Sequence, residues 1–340
     1  TITRDPSLTV TLHGRAHRDA PPVAGAEPFP LIIVSHGYPG NRYLMSHLGE
    51  NLASKGFVVI SIDHPDSTYD DQKAFGSTLY NRPFDQLFVL HEIARLARTP
   101  RSFLTGLVDT GRTGLVGYSM GGYGAVNVAG GGFSTASETL PMAPPNRLLA
   151  ERGASAAEYR KSLDPRIKAV IAIAPWGMPA GFWDAEGLKG IRTPILFVAG
   201  SVDEVAGYEK GPRAIYEGAV NAERYLLTLL NAGHNAAAPI PAPAETYVFS
   251  ETLKAYPFVH YADAVWDTTR MNNILDHFAT AYFSLHLKGE EDKKAYLIPT
   301  GRNPAPLPDT AATRAEGAPW KGFKPRTTVG LTLEHAAPGK

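Results

Sequence analysis

Gly117-Tyr118-Ser119-Met120-Gly121-Gly122 follows directly on the apolar run Gly114-Leu115-Val116 and leads into a small-residue segment that reaches Gly130. A serine flanked by glycines between a strand-like run and a helix-like one is what a sharp strand-to-helix turn requires. The turn strains the serine, and only glycine at the flanks lets strand and helix come close enough to hold it. The Ser119 hydroxyl would then stand exposed at the strand's end as a candidate nucleophile. Taken alone the pattern is weak, because a chain with 33 glycines in 340 residues produces it by accident, and a serine in that place is also an ordinary helix N-cap. Its meaning depends on its surroundings.

Outward from the turn, segments alternate. Runs 31–34 and 57–62 are short, β-branched and apolar at almost every position, as strands covered on both faces should be. Between them 43–55 has helical spacing, with Leu44, Leu48 and Leu52 on one stripe and Gly56 at its end. A helix is predicted over 84–98 with Leu87, Leu90, Ile93, Ala94 and Ala97 inward, then strand 114–117 and helix 120–129. Strands 169–174 and 194–199, helix 208–220, strand 225–230 and a last helix 269–287 complete the series. Such alternation predicts an α/β fold: a mostly parallel central sheet, helices on both faces, and ligands at the carboxyl ends of the strands. Two stretches are too long for simple connections: 131–162, with Pro141, Pro144 and Pro145, and 236–266. Both are expected to form walls or a partial lid of a site. The expected organisation is one domain over 1–300, then an irregular tail over 301–340 that packs on it, anchored by Trp320 and Phe323.

A serine hydroxyl is a poor nucleophile at neutral pH, so it needs a base within hydrogen-bond reach and an acid to orient that base. Asp203, in Gly200-Ser201-Val202-Asp203, lies just past one predicted strand. His234, in Ala232-Gly233-His234-Asn235, lies just past another. Both should stand on the sheet edge that carries Ser119, and the chain order serine, aspartate, histidine suits this architecture. An aspartate capping the next helix and a turn histidine are the plain alternatives, and Glu204 is a rival for the acid. Two amide donors for an oxyanion are expected from Met120, next to the serine, and from Tyr38 in the loop Ser35-His36-Gly37-Tyr38-Pro39-Gly40.

With these residues in view, the chain resembles a serine hydrolase of the α/β-hydrolase superfamily over roughly 30–287. His36-Gly-Tyr-Pro-Gly, Leu52-Ala-Ser-Lys-Gly-Phe-Val-Val and Asp63-His64-Pro65-Asp66 are similar to platelet-activating factor acetylhydrolase and dienelactone-hydrolase-like esterases. Tyr38, Met120 and Trp176 (in Ala174-Pro175-Trp176) occupy positions at which cutinase-like polyester hydrolases place an aromatic clamp and an oxyanion donor. That resemblance implies a cleft able to sandwich a flat or extended acyl group, with Tyr38 and Trp176 contacting substrate; His64, just past its own strand, is expected to shape the wall of the site and contact substrate there. Two departures stand beside it. Those polyester hydrolases lack the long segment after the histidine, and dienelactone hydrolases use a cysteine that this chain does not contain.

Composition narrows the partners. Lys+Arg and Asp+Glu balance at 33 each, so no overall field draws nucleic acid or anionic membrane. Without cysteine there is no disulfide, thiolate nucleophile or cysteine metal site. No apolar run reaches transmembrane length. The start at Thr1-Ile2-Thr3, without an initiator methionine, leaves room for a removed signal peptide and export to periplasm or medium, and otherwise for the cytoplasm. Asp63, His64, Asp66, Asp70 and Asp71 invite a metal reading, but they match no established ligand spacing and read more simply as a polar turn. His36 is expected to order the oxyanion loop; His47, His91, His260 and His277 read as surface or core-edge residues. The expected protein is a carboxylesterase for small to medium esters, working without cofactor or metal as a monomer or homodimer. An acyltransferase with the same triad and a lipid acetylhydrolase of the platelet-activating-factor type are the alternatives.

Overall fold

Alternation within each strand sorts the two faces of the central sheet. In the computed structural model, which describes residues 2–23, 27–302, 320–324 and 327–340, seven strands line up in the order β2-β1-β3-β4-β5-β6-β7. They are β1 (Phe29–Ser35), β2 (Val58–Ile62), β3 (Val108–Tyr118), β4 (Ile167–Ile173), β5 (Ile195–Gly200), β6 (Arg224–Leu229) and β7 (Leu331–Ala336). Every neighbouring pair is parallel except β6 and β7. Ile32, Val34, Val116, Ile171 and Val198 point to one side, where α1 (Ser46–Ser54) and α7 (Thr268–Lys288) bury Leu48, Leu52, Phe278 and Leu285 against them. Leu31, Ile33, Leu115, Val170 and Phe197 point to the other, under α2 (Phe75–Leu96) and α3 (Met120–Val128). A period of two along the strands and apolar stripes on the helices thus give one core on each face.

The chain runs from β1 outward to β2 and returns past β1 to place β3 on its other side. At that reversal the connections diverge to opposite faces and open a crevice at the carboxyl ends of β1 and β3. Ser35 and Gly117 pair across it.

Three expectations change. The helix predicted over 84–98 is α2, and it begins at Phe75 and continues through Pro83. A proline leaves the carbonyl four residues earlier without its helical donor; here the Tyr123 hydroxyl donates to that carbonyl, Leu79 O, at 3.1 Å. The helix predicted over 208–220 breaks at Gly211 and Pro212, and only α6 (Ala214–Gly218) is regular. The tail expected to be irregular contains β7, in which Leu331 and Leu333 enter the core while Glu334, partly buried, pairs with Arg213. Residues 303–319 and 325–326 of that tail lie outside the described residues. Trp320 is buried and donates from Nε1 to Ile298 O at 2.7 Å, and Phe323 packs on Phe278. Short helices α4 (Ala157–Lys161) and α5 (Ala185–Leu188) complete the α-helices among the described residues. Among the described residues no helix is long and apolar enough to cross a membrane.

Candidate active site

Ser119 sits between β3 and α3 at φ 53°, ψ −111°, a strained conformation for a residue with a side chain, costing about 1–3 kcal/mol. Its flanking glycines are required by contact. A Cβ on Gly117 would lie 2.1 Å from Gly121 O, and one on Gly121 would lie 2.1 Å from Ser35 O. Turn, helix start and end of β1 are therefore packed backbone to backbone, and the serine side chain is directed away from them.

Asp203 and His234 stand in the loops after β5 and β6. Ser119 Oγ lies 2.9 Å from His234 Nε2, and His234 Nδ1 lies 3.0 Å from both Asp203 oxygens. With Nδ1 donating to the carboxylate, Nε2 is left to accept the serine proton. Burial raises the Asp203 pKa, but hydrogen bonding and charge from His234 and the amides of Ala206 (2.7 Å) and Val205 (2.9 Å) outweigh it, so the net shift is downward. Glu204, the rival acid, is committed elsewhere: its Oε2 accepts the backbone N–H of His234 at 3.2 Å. The neighbouring Gly233 N–H donates to Asp263 at 2.7 Å. The histidine loop is thus held on both amides.

Behind the loop after β1 lies a buried polar cluster. Arg82, on α2, donates to His36 O at 2.6 Å, to Gly37 O at 3.4 Å and to Ser67 Oγ at 2.6 Å. His36 Nδ1 donates to Gly37 O at 2.7 Å, and its Nε2 accepts the His64 N–H at 3.2 Å. A trans peptide directs its carbonyl and its N–H in opposite directions. With Gly37 O turned to the buried guanidinium, the N–H of Tyr38 points away from it. Met120 opens α3, so its N–H has no carbonyl one turn earlier in the helix.

His64 does not form the wall expected of it. It is 1% exposed. Its Nε2 lies 2.7 Å from Ser35 Oγ and its Nδ1 2.8 Å from Asp85, while Gln86 Nε2 donates to Ser35 Oγ and to Gly121 O, both at 2.9 Å. Burial, with Arg82 and His36 beside it, holds His64 well below the ordinary imidazole range. The side chain that pulls it from the cleft is Asp85, on the stretch of α2 just past Pro83. Trp176 is also displaced from its expected place. Its indole packs edge-on against Phe75 (5.4 Å) and tilted against Phe182 (5.5 Å), and Phe75 in turn meets Tyr38 edge-on at 4.9 Å. Phe75 sits against both rings of the predicted clamp.

The cleft over Ser119 has a volume of about 350 Å³. Tyr38, Ser119 and His234 line it; His64 and Trp176 do not. Its outer wall comes from the predicted insertion 236–266, through residues including Tyr256, Pro257, Val259 and His260, and from Thr3 and Arg4. The N-terminal residues are tied to that wall: Ser250 Oγ donates to Asp5 at 2.5 Å, and the Tyr261 hydroxyl donates to Ile2 O. Residues 131–162 do not reach the cleft; Phe133, Leu149 and Tyr159 pack beyond α3. Asp63 pairs with Arg42 and Asp66 with Lys73. Among the described residues no three histidine or carboxylate side chains are grouped to hold a metal.

In sequence the chain is similar to known proteins. A family model described as PETase, PET hydrolase-like, matches residues 13–150, which include Tyr38 and Ser119 but neither Asp203 nor His234. A bis(hydroxyethyl) terephthalate hydrolase from Streptomyces coelicolor is 27% identical over 229 residues, covering 67% of this chain and 57% of that protein. Cutinase 2 from Thermobifida cellulosilytica is 25% identical over 185 residues, 54% of this chain and 52% of its own. Cutinase est1 from Thermobifida alba is 26% identical over 204 residues, 60% and 52% respectively. The sheet order and the parallel strands are those of the α/β-hydrolase fold. In sequence the chain is similar to cutinase-like polyester hydrolases, and it spans about half the length of the relatives it matches. Arg82 and Gln86, behind the loop after β1, escaped the sequence reading. Their signal was a polar pair four residues apart on the inward stripe that also carries Leu79 and Leu90.

Proposed function

We propose that the protein is a serine carboxylesterase acting on small to medium carboxylic esters, aromatic and polyester-type esters among them. The observation that carries this reading is the unbroken hydrogen-bonded series Ser119, His234, Asp203 beneath an open cleft. The names of the similar proteins, a terephthalate-ester hydrolase and cutinases, support the substrate class.

His234 Nε2 takes the Ser119 proton as Oγ attacks the ester carbonyl. The carbonyl oxygen becomes an oxyanion, received by the amides of Tyr38 and Met120. Asp203 keeps the imidazole in the tautomer with the proton on Nδ1 and favours the imidazolium that forms. Collapse of the tetrahedral intermediate breaks the bond to the alkoxy oxygen, which leaves as alcohol with the proton from Nε2. Water then enters, gives a proton to Nε2 and attacks the acyl carbon; a second collapse returns Oγ and releases the acid. All three side chains come from one chain, so a monomer suffices for the chemistry. The catalytic domain extends through about residue 300 and recruits β7 at its edge.

The test is labelling with a fluorophosphonate alongside turnover of an activated short-chain ester. Wild type is expected to label and to turn over; Ser119→Ala is expected to do neither. Labelling retained by Ser119→Ala would show that the nucleophile lies elsewhere.

A further inference from the structure

The segment over 244–260 does more than wall the cleft: it carries a connected set of aromatic rings on its outer side. Tyr247 stacks on Phe258 at 5.3 Å with ring planes 8° apart, Phe258 meets Tyr256 at 6.5 Å, and Tyr256 meets Phe249 edge-on at 5.2 Å. Tyr247 is 59% exposed, Tyr256 49% and Phe249 41%, with Val248 and Val259 at 62% each. A contiguous apolar surface of this kind on a water-facing segment is a mark of an interaction site rather than scattered exposure.

Two observations say what occupies it. The first is continuity: Tyr256 and Val259 belong both to this surface and to the lining of the cleft over Ser119, so the rings extend the cleft outward. The second is charge. Lys254, beside the rings, is paired with Glu251 at 2.8 Å, and Glu245 lies at the other end of the segment. No excess of positive charge is present for an anionic bilayer or nucleic acid. The scaffold is also fixed relative to the catalytic histidine. Asn235, the residue after His234, donates to Val259 O at 2.9 Å and Ala262 O at 2.7 Å, and Ser250 N–H bonds Ala255 O at 2.9 Å across the segment's own turn.

We propose that this aromatic shelf is an outer subsite, on which the part of an uncharged, aromatic ester chain that projects beyond the cleft lies while one ester bond sits at Ser119. The substrate class is thus an ester chain longer than the cleft, and the proposal rests on the esterase reading above. Exposed rings with flat faces bind aromatic and apolar units by stacking and burial. The insertion therefore aids long substrates in addition to walling the cleft.

The experiment uses the full chain carrying Tyr247→Ser with Phe249→Ser, neither of which lines the cleft, and Tyr247→Phe as a control that keeps the ring. For a soluble activated short-chain ester, kcat/KM of the double variant is expected to stay within about twofold of wild type, while the initial rate on an amorphous terephthalate polyester film falls roughly tenfold and Tyr247→Phe stays near wild type. Equal rates of wild type and double variant on the film, or a parallel loss on film and soluble ester, would overturn the proposal. So would a shelf whose loss abolishes binding to phosphatidylcholine vesicles, or dissociates a dimer in sedimentation, while film hydrolysis is unchanged. Adsorption to the film is measured also in the Ser119→Ala background with and without the shelf substitutions. Shelf-dependent adsorption there supports the subsite even if the nucleophile is misassigned, and shelf-independent adsorption overturns it even if the esterase reading stands.

Discussion

Two serine-histidine-aspartate series lie near the carboxyl ends of β1 and β3. Ser119, His234 and Asp203 are linked at 2.9 and 3.0 Å; Ser35, His64 and Asp85 are linked at 2.7 and 2.8 Å. Connectivity does not separate them, so the difference lies in their surroundings. Ser119 lines a cleft, whereas Ser35 is 0% exposed and its oxygen already accepts a bond from Gln86. No carbonyl carbon can approach it. The two acids are shifted in opposite directions. Asp203 receives two backbone amides in addition to His234 and its pKa is lowered; burial pushes Asp85 up to about 6, with Arg82 opposing only in part. One series is arranged to stabilise a charge that appears on histidine, and the other is a tie with an uncharged histidine that holds β1, β2 and α2 together behind the loop after β1.

Substituting corresponding members is the most direct way to break this contrast. Ser119→Ala should lower kcat by about a millionfold, as removal of a triad nucleophile does, while Ser35→Ala should cost roughly threefold in kcat and about 1–2 kcal/mol in stability through the orphaned Gln86 and His64. If Ser35→Ala proved as damaging to kcat in a protein of unchanged melting temperature, the contrast would collapse. Asp203→Asn is expected to reduce kcat about ten-thousandfold, because it permits the wrong histidine tautomer; Asp85→Asn should remain within about tenfold of wild type in the same steady-state assay.

The tie can be probed through the loop it supports. Arg82→Lys keeps a charge but loses the fork that reaches two carbonyls and Ser67, so Tyr38 N–H is less well held. A drop of roughly a hundredfold in kcat with little change in KM is expected, comparable to losing one oxyanion donor, and the affinity for a boronic acid transition-state mimic should fall with it. Retained mimic affinity would detach Arg82 from the oxyanion.

A smaller effect concerns pH. Burial keeps His36 and His64 well below the ordinary imidazole range and brings His260 down to about 4. Each folded-state value lies below the unfolded one, so the unfolded chain binds more protons in between, and stability is lost as pH falls below about 6.5. Asp85 has the opposite sign: its raised pKa makes the folded chain the better proton binder between about 4 and 6, which partly offsets the loss. The melting temperature should therefore fall from pH 7 to pH 5, less steeply in His260→Asn and more steeply in Asp85→Asn. An unchanged slope in Asp85→Asn would show that Asp85 takes up no proton in this range.

The layout of strands and helices was legible because buried parallel strands are apolar throughout and helices repeat every three to four residues. Ser119, Asp203 and His234 were legible because each sits on the loop just past its own strand. What escaped depended on distant partners. The extension of α2 before Pro83 is made tolerable by the hydroxyl of Tyr123, forty-four residues from Leu79. The strand β7 is short and half polar, and only the free edge of β6 gives it a ladder. His64 and Trp176 were placed by position after a strand, yet Asp85, inside the predicted helix, and Phe75, on the unforeseen extension of α2, are the side chains they pack or bond with.

The tie between Ile2–Asp5 and the segment around Ser250 and Tyr261 has a consequence for how the molecule is made. These contacts join residues separated by 245 and 259 positions. Residues 2–5 leave the ribosome well before residues 250–261, so these two bonds cannot form until the chain has grown past Tyr261. The mouth of the cleft is thus among the last parts to assemble, by closure of one of the longest loops in the protein, while the nucleophile turn can form as soon as β1, β3 and α3 have met.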